Sequence, residues 1–302
     1  MFFHMHQSVR LPVRARLGAY LALTKPRIIE LLLVTTVPTM IVAARGLPSI
    51  WLIVATVAGG ALAAGGANAM NMYVDRDIDR LMKRTRKRPL VTGVIRPRNA
   101  LVFAVALEVL AFALLWSTVN LLSAVLAVSA TLFYVFVYTL WLKRTSSHNI
   151  VIGGAAGAVP VLVGWTAVTD RLDWAPIVLF AVIFYWTPPH FWALAIKYRD
   201  DYAAADVPML PVVASARTTA TRILLYTLLL WGLTLLFAPV AGMGDLYVVS
   251  AIVLGAVFTV FAVQLVRRCT PKAAIRLFSW SITYVTLLFG AIALDQLLRS
   301  GR

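Results

Sequence analysis

Apolar stretches long enough to cross a bilayer alternate along this chain with polar connections. A span needs about 20 apolar residues, and nine segments qualify: Ile28 to Ala44, Ser49 to Tyr73, Ala100 to Thr118, Leu121 to Leu142, Ile150 to Val168, Trp174 to Ile196, Ile223 to Val240, Leu246 to Val266, and Ile275 to Leu298. The pattern predicts an all-α polytopic membrane protein. Residues 1–302 form one transmembrane domain with a tail to about residue 27, and no stretch between the spans is long enough for a soluble domain.

Composition agrees with this reading. Of 302 residues, 61% are hydrophobic and 13% charged, against roughly 25% charged in soluble domains. The net charge of +16 would suggest nucleic acid if it were spread evenly, but it is not. Alternate connections are basic: 24 of the 28 Lys and Arg fall on one side, leaving Arg45, Arg171, Arg299 and Arg302 on the other. Positive residues mark cytoplasmic loops, so the N-terminus is expected in the cytoplasm and the C-terminus outside. Topology thus accounts for most single basic residues, and no nucleic-acid partner is expected. The segment before Ile28 lacks the apolar core of a signal peptide. Cys269 is the one cysteine, which rules out a disulfide framework.

At the end of the second span, a row of oxygen-bearing side chains breaks the apolar pattern. With about 100° per helical residue, Asn71, Asp75 and Asp79 fall at roughly 0°, 40° and 80°, and Asn68 near 60°. Asp77, about 240° around, points elsewhere. The basic run Lys83-Arg84-Thr85-Arg86-Lys87-Arg88 follows. Hard cations such as Mg²⁺ take oxygen ligands and keep substrate phosphates in their shell, so carboxylates beside free cations suit a chelated diphosphate. Acids in or near a bilayer usually mark function. The competing structural reading pairs these acids with Arg76, Arg80 and Lys83.

A second polar cluster follows the sixth span. If the helix runs on past Pro188-Pro189, which should kink it, His190, Lys197 and Asp201 line one inward stripe. Lys197 is then read as a diphosphate ligand, Asp201 as a second metal ligand or a salt-bridge partner, and His190 as an acceptor contact, a base, or a packed histidine bonded to a neighbouring helix. Lys25 and Arg27 open the first span within reach of the same mouth. Glu108 stands alone in apolar sequence. The outer connections are short, which favours a one-sided site over a channel with two vestibules. Glycine-rich runs at Gly59-Gly60, Gly65-Gly66 and Gly153-Gly154 are read first as close helix packing and second as room for a substrate.

These residues together resemble the UbiA family of intramembrane prenyltransferases, and within it the branch that farnesylates heme. The matching phrases are Leu23-Thr24-Lys25-Pro26-Arg27; Asn68 to Asp79 with Met82-Lys83-Arg84-Thr85 and Arg88-Pro89-Leu90; Tyr138-Thr139 with Leu142-Lys143-Arg144; Asn149 to Gly157; Trp186 to His190; and Asp201-Tyr202 through Pro211. The resemblance implies nine helices around a central cavity in a bacterial inner membrane. It implies Mg²⁺ held by Asn71, Asp75, Asp79 and Asp201, with Asn68, Lys25, Arg27, Lys83, Arg84, Arg88, Lys143, Arg144 and His190 lining the substrate site. Farnesyl diphosphate would donate its prenyl group to a vinyl of heme b, giving heme O for a heme A synthase or terminal oxidase. Lys197 in place of a first Asp in the second motif departs from the wider family. The alternatives are prenylation of a quinone precursor and, from another class, secondary transport.

Overall fold

The computed structural model describes residues 12–301, apart from the side chains of residues 27–33. Fourteen α-helices and one π-helical stretch follow one another among the described residues. They are α1 (Val13–Thr24), α2 (Pro26–Ala43), α3 (Ile50–Val74), α4 (Arg76–Leu81), α5 (Pro97–Thr118), α6 (Leu121–Leu132), a π-helical stretch (Phe133–Leu142), α7 (Lys143–Thr145), α8 (Asn149–Thr169), α9 (Trp174–Lys197), α10 (Arg199–Ala204), α11 (Leu210–Val213), α12 (Ala216–Ala241), α13 (Asp245–Arg268) and α14 (Pro271–Ser300). Eight helices among the described residues are long and apolar enough to span a membrane. The ninth expected span is α2, whose described side chains cover the shorter apolar segment Val34–Ala43.

Small residues set the closest approaches, as lipid-embedded packing requires. A Cβ on Gly59 would lie 2.5 Å from the Leu115 side chain, and one on Gly66 would lie 2.5 Å from Glu108 Oε1. This is why α3 and α5 pack along most of their length. Glu108 is buried in that contact and accepts from Thr131 at 3.1 Å. Gly66 lies about 140° around α3 from Asn71, so Glu108 sits behind the acidic row and acts between helices α3, α5 and α6.

The fourth span is continuous but changes pitch. From Phe133 to Leu142 it is π-helical, a rare form often found at functional sites. The wider turn lets Thr139 donate to the Tyr134 carbonyl five residues back at 2.8 Å, and it stacks Tyr134 on Tyr138 with centroids 5.3 Å apart. Helix α9 runs through Pro188 and Pro189 without a break and ends instead at Lys197, where Tyr198 leaves helical geometry. The inward stripe from His190 to Asp201 therefore does not exist as one helical face.

The far ends of the helices are joined by short connections, as expected. Those connections surround a cavity of about 1120 Å³ bounded by Arg45, Arg171, Arg299 and Trp174. The molecule thus has polar features at both ends, while the acidic row lies at one of them.

Candidate active site

Asp75 is the residue between α3 and α4, and the helical hydrogen bonds continue through it: its N–H donates to the Asn71 carbonyl at 2.9 Å, and Asp79 N–H donates to its own carbonyl at 2.8 Å. The four-residue spacing is therefore kept across the junction. Asn68, Asn71, Asp75 and Asp79 are all buried. Asn71 Nδ2 donates to Asp75 Oδ2 at 2.7 Å and lies 3.2 Å from Thr139 Oγ1 on the π-helical stretch, so that stretch clamps the row from the side. Asn68 Nδ2 donates to the Thr24 carbonyl at 3.1 Å, fixing the end of α1.

Cations from three other segments converge on this row. Lys25 Nζ donates to Asn71 Oδ1 at 2.9 Å, Lys143 Nζ donates to Asp75 Oδ2, and Arg88 donates to Asp79 Oδ2 at 2.7 Å. Arg144 approaches Asp75 Oδ1 at 3.8 Å while its fork grips Asp77 at 2.7 and 2.8 Å. The acids do not pair with the helix-end arginines that the structural reading named, since Arg76 turns back to the Tyr73 carbonyl at 2.5 Å. Asp77 points outward, as expected, and its bonds to Arg144 hold its carboxyl down at about 2. Burial, aided by the positive Arg88 and Lys143, pushes Lys25 down to about 7 against the pull of Asp75 and Asp79. Four basic side chains, Lys25, Arg88, Lys143 and Arg144, thus surround two buried carboxylates, Asp75 and Asp79, an excess of positive charge.

The second loop meets the first, though by other contacts than the sequence suggested. Asp201 Oδ2 accepts the Arg84 backbone N–H at 3.3 Å, and the Arg84 guanidinium lies 5.5 Å from the Tyr198 ring. Tyr202 is pushed up by burial, with Arg84 and Arg88 beside it opposing the shift. Lys197 is exposed with its ammonium over the Tyr198 ring, and Lys83 is exposed. Neither joins the acidic row. His190 pairs Nδ1 with Ser281 Oγ at 2.7 Å and stacks between Trp186 and Phe278 at 4.3 and 4.6 Å, so its described contacts are with α9 and α14. The side chain of Arg27 lies outside the described residues.

Several participants carry no signal as isolated letters. Tyr134 and Tyr138 stack on the same π-helical stretch whose Thr139 meets Asn71. Thr85 is buried and donates to the Asp79 carbonyl at 2.9 Å, which anchors the basic run. Asn149, the first residue of α8, is fully buried with neither amide atom bonded. It shares a helix face with Gly153, where a Cβ would meet Tyr138 at 2.3 Å, and with Gly157, which opens on space.

Oxygen donors decide whether a divalent cation fits. Asp75 Oδ1 is buried without a hydrogen bond, the condition of an acceptor awaiting a partner. With Asn71 Oδ1 and Asp79 it offers hard ligands of the kind Mg²⁺ prefers. Among the described residues no three His, Cys, Asp or Glu side chains converge, so substrate oxygens would have to complete the shell, as Mg²⁺ sites with phosphates commonly arrange.

Fold and site together define a helical membrane protein with a buried acid and base cluster at one end of the bundle. Residues 32–288 match the UbiA prenyltransferase family, and the chain belongs to it. It is similar to the protoheme IX farnesyltransferase of Streptomyces avermitilis, 52% identical with 95% of this chain and 96% of that one covered. That of Kineococcus radiotolerans is 53% identical, with 97% and 91% covered. Among solved structures, a digeranylgeranylglyceryl phosphate synthase superposes with a TM-score of 0.78 at 16% identity, covering 94% of this chain and 99% of that one. A UbiA homolog from Archaeoglobus fulgidus bound to GPP and Mg²⁺ gives 0.65 at 16%, covering 91% and 99%. At such identities the superpositions carry the fold alone.

Proposed function

We propose that the protein transfers the farnesyl group of farnesyl diphosphate to a vinyl group of heme b, giving heme O and diphosphate, at the cytoplasmic face of a bacterial inner membrane. The observation that carries this reading is Asp75, a fully buried carboxylate with one unbonded oxygen, set among Asn71, Lys25, Lys143 and Arg144. The choice of heme over other acceptors rests on the likeness to the relatives named above.

Mg²⁺ bound by Asn71, Asp75 and Asp79 would screen the diphosphate charge and favour its departure. The chain's own cations act in the same direction. Lys143 and Arg88, now on carboxylates, are placed to turn to phosphate oxygens, where negative charge grows as the carbon–oxygen bond of farnesyl C1 breaks and its electron pair leaves with diphosphate. The Tyr134 and Tyr138 faces beside the row suit the allylic cation. The vinyl π electrons form the new carbon–carbon bond, and water adds to the resulting cation with loss of a proton. Asn149 offers an amide to the substrate, and the space at Gly157 along the same face takes the apolar tail. Low water content around the buried row protects the cation from early capture.

The test incubates purified protein in detergent with heme b, Mg²⁺ and farnesyl diphosphate, followed by mass analysis of the extracted heme. A farnesylated, hydrated heme is expected. Unchanged heme alongside prenylated hydroxybenzoate would replace this acceptor with a quinone precursor.

A further inference from the structure

The cavity at the end of the bundle opposite Asp75 has a chemistry of its own. It holds about 1120 Å³, above the usual range for a small-molecule site. Positive residues are scarce at that end, only four of 28 by the charge pattern, yet three of the four, Arg45, Arg171 and Arg299, line this one cavity. Topology disfavours cations there, so their convergence calls for a local cause.

Two of the three are held in place. Arg171 Nε and Trp165 Nε1 each donate to Asp173 at 3.2 Å, which joins both to the wall. Arg299 donates to the Gly242 carbonyl and lies 3.9 Å from Asp295, a buried carboxylate that accepts the N–H groups of Gly244 and Tyr247. Arg45 has no ion pair among the described residues and takes a left-handed backbone, φ 51°, on the rim. That conformation caps the end of α2, with Gly46 N–H donating to the Ile41 carbonyl at 3.1 Å, and so fixes where the Arg45 side chain leaves the helix. Asp173 balances Arg171 and Asp295 balances Arg299, so Arg45 supplies one positive charge that no described acid offsets.

The remaining wall is mixed, with Thr169, Gln296 and Ser300 beside an apolar stretch. Val42, Leu172, Ile177 and Val240 face the cavity beside Trp165, and Trp174 stands 79% exposed at its mouth. A free inorganic anion would leave that wall unused. We propose that the cavity binds an anionic phospholipid of the surrounding bilayer, its phosphate held by the arginine forks and its acyl chains against the apolar wall, with Trp174 at headgroup level. The proposal does not depend on the reaction at the other end.

The experiment uses full-length protein, delipidated in detergent, with native mass spectrometry of bound lipid. Phosphatidylglycerol, phosphatidylcholine and inorganic phosphate are offered at equal phosphate concentration. Wild type should retain phosphatidylglycerol over phosphatidylcholine, and inorganic phosphate should not displace it. The double variant Arg45→Gln/Arg171→Gln should bind about tenfold more weakly or worse, as loss of two charge-assisted contacts implies, and Arg45→Lys/Arg171→Lys should recover part of the binding. Both side chains are exposed, so the lipid-free unfolding midpoint should not move, and it is measured to check the fold. Equal loss from Arg267→Gln/Arg268→Gln at the other end would show mere surface attraction and overturn the site. Unchanged retention in the Arg45/Arg171 variant would do the same, and full competition by inorganic phosphate would overturn the lipid assignment.

Discussion

Asp75 and Lys143 can be separated into a structural pair and a working pair by one double-mutant cycle. The Asp75 side chain is 0% exposed and that of Lys143 12%. Asp75→Asn keeps the shape but strands a largely buried ammonium, and breaking a buried pair from one side costs about 3–5 kcal/mol. The lower end applies, because Lys143 lies at a helix end and reaches some water. Asp75→Asn/Lys143→Gln removes both charges, so most of that loss should return, leaving an unfolding midpoint near wild type in detergent. Turnover should behave differently. In the role proposed for Asp75, losing its carboxylate should lower the rate by about 10²–10³ or more, and the second substitution should restore nothing. Unfolding midpoints and the yield of farnesylated heme are measured on the same four proteins. A double variant that regained both stability and turnover would refute the reasoning, since Asp75 would then serve only to neutralise Lys143.

Asp79→Asn should also lower turnover sharply and raise the Mg²⁺ concentration needed, whereas Lys197→Gln, exposed and outside the row, should stay near wild type; a Mg²⁺ titration of both variants decides. Gly153→Ala puts a Cβ 2.3 Å from the Tyr138 ring, so beyond an overpacking cost of about 1–3 kcal/mol it should displace an aromatic face of the site and cut turnover. Gly255→Ala clashes as badly, 2.0 Å from Trp231, but remotely, so steady-state kinetics should show an unchanged KM. Asp77 has a depressed folded pKa, about 2 against 3.8, so its pairing with Arg144 stabilises above the unfolded value and is lost as pH falls through about 2. In acid titrations monitored by circular dichroism, Asp77→Asn should lack that component while its turnover at neutral pH changes little. Ser281→Ala frees His190; if His190 also touches the acceptor, His190→Ala raises the KM for heme and Ser281→Ala does so less.

Much of the fold was legible because lipid imposes a simple rule on sequence: spans are long and apolar, and their loops carry charge with a fixed sign. The acidic row was legible for a different reason. A helix keeps its register through Asp75, so the spacing of Asn71, Asp75 and Asp79 translated directly into one buried face. The second cluster failed on that same assumption. Its helix ends at Lys197, and Tyr198 turns the chain, so Asp201 reaches the first loop through the Arg84 backbone while Lys197 faces away. Periodicity can place residues only as far as the helix persists.

The π-helical pitch was equally hidden, since Phe133 to Leu142 is uniformly apolar and aromatic and reads the same at either pitch. Yet that pitch brings Thr139 to Asn71 and sets Lys143 on Asp75. A residue's distance from its partner in sequence says nothing about such a contact: Lys143 stands 68 positions from Asp75. Two of the four cations around the row, Lys143 and Arg144, come from a turn whose basic charge topology alone would explain. Only their burial against carboxylates separates cations that set orientation in the bilayer from cations that also face the chemistry. The arginines at the opposite end are exposed and fail that test, but they are few and gathered on one cavity, which topology does not require.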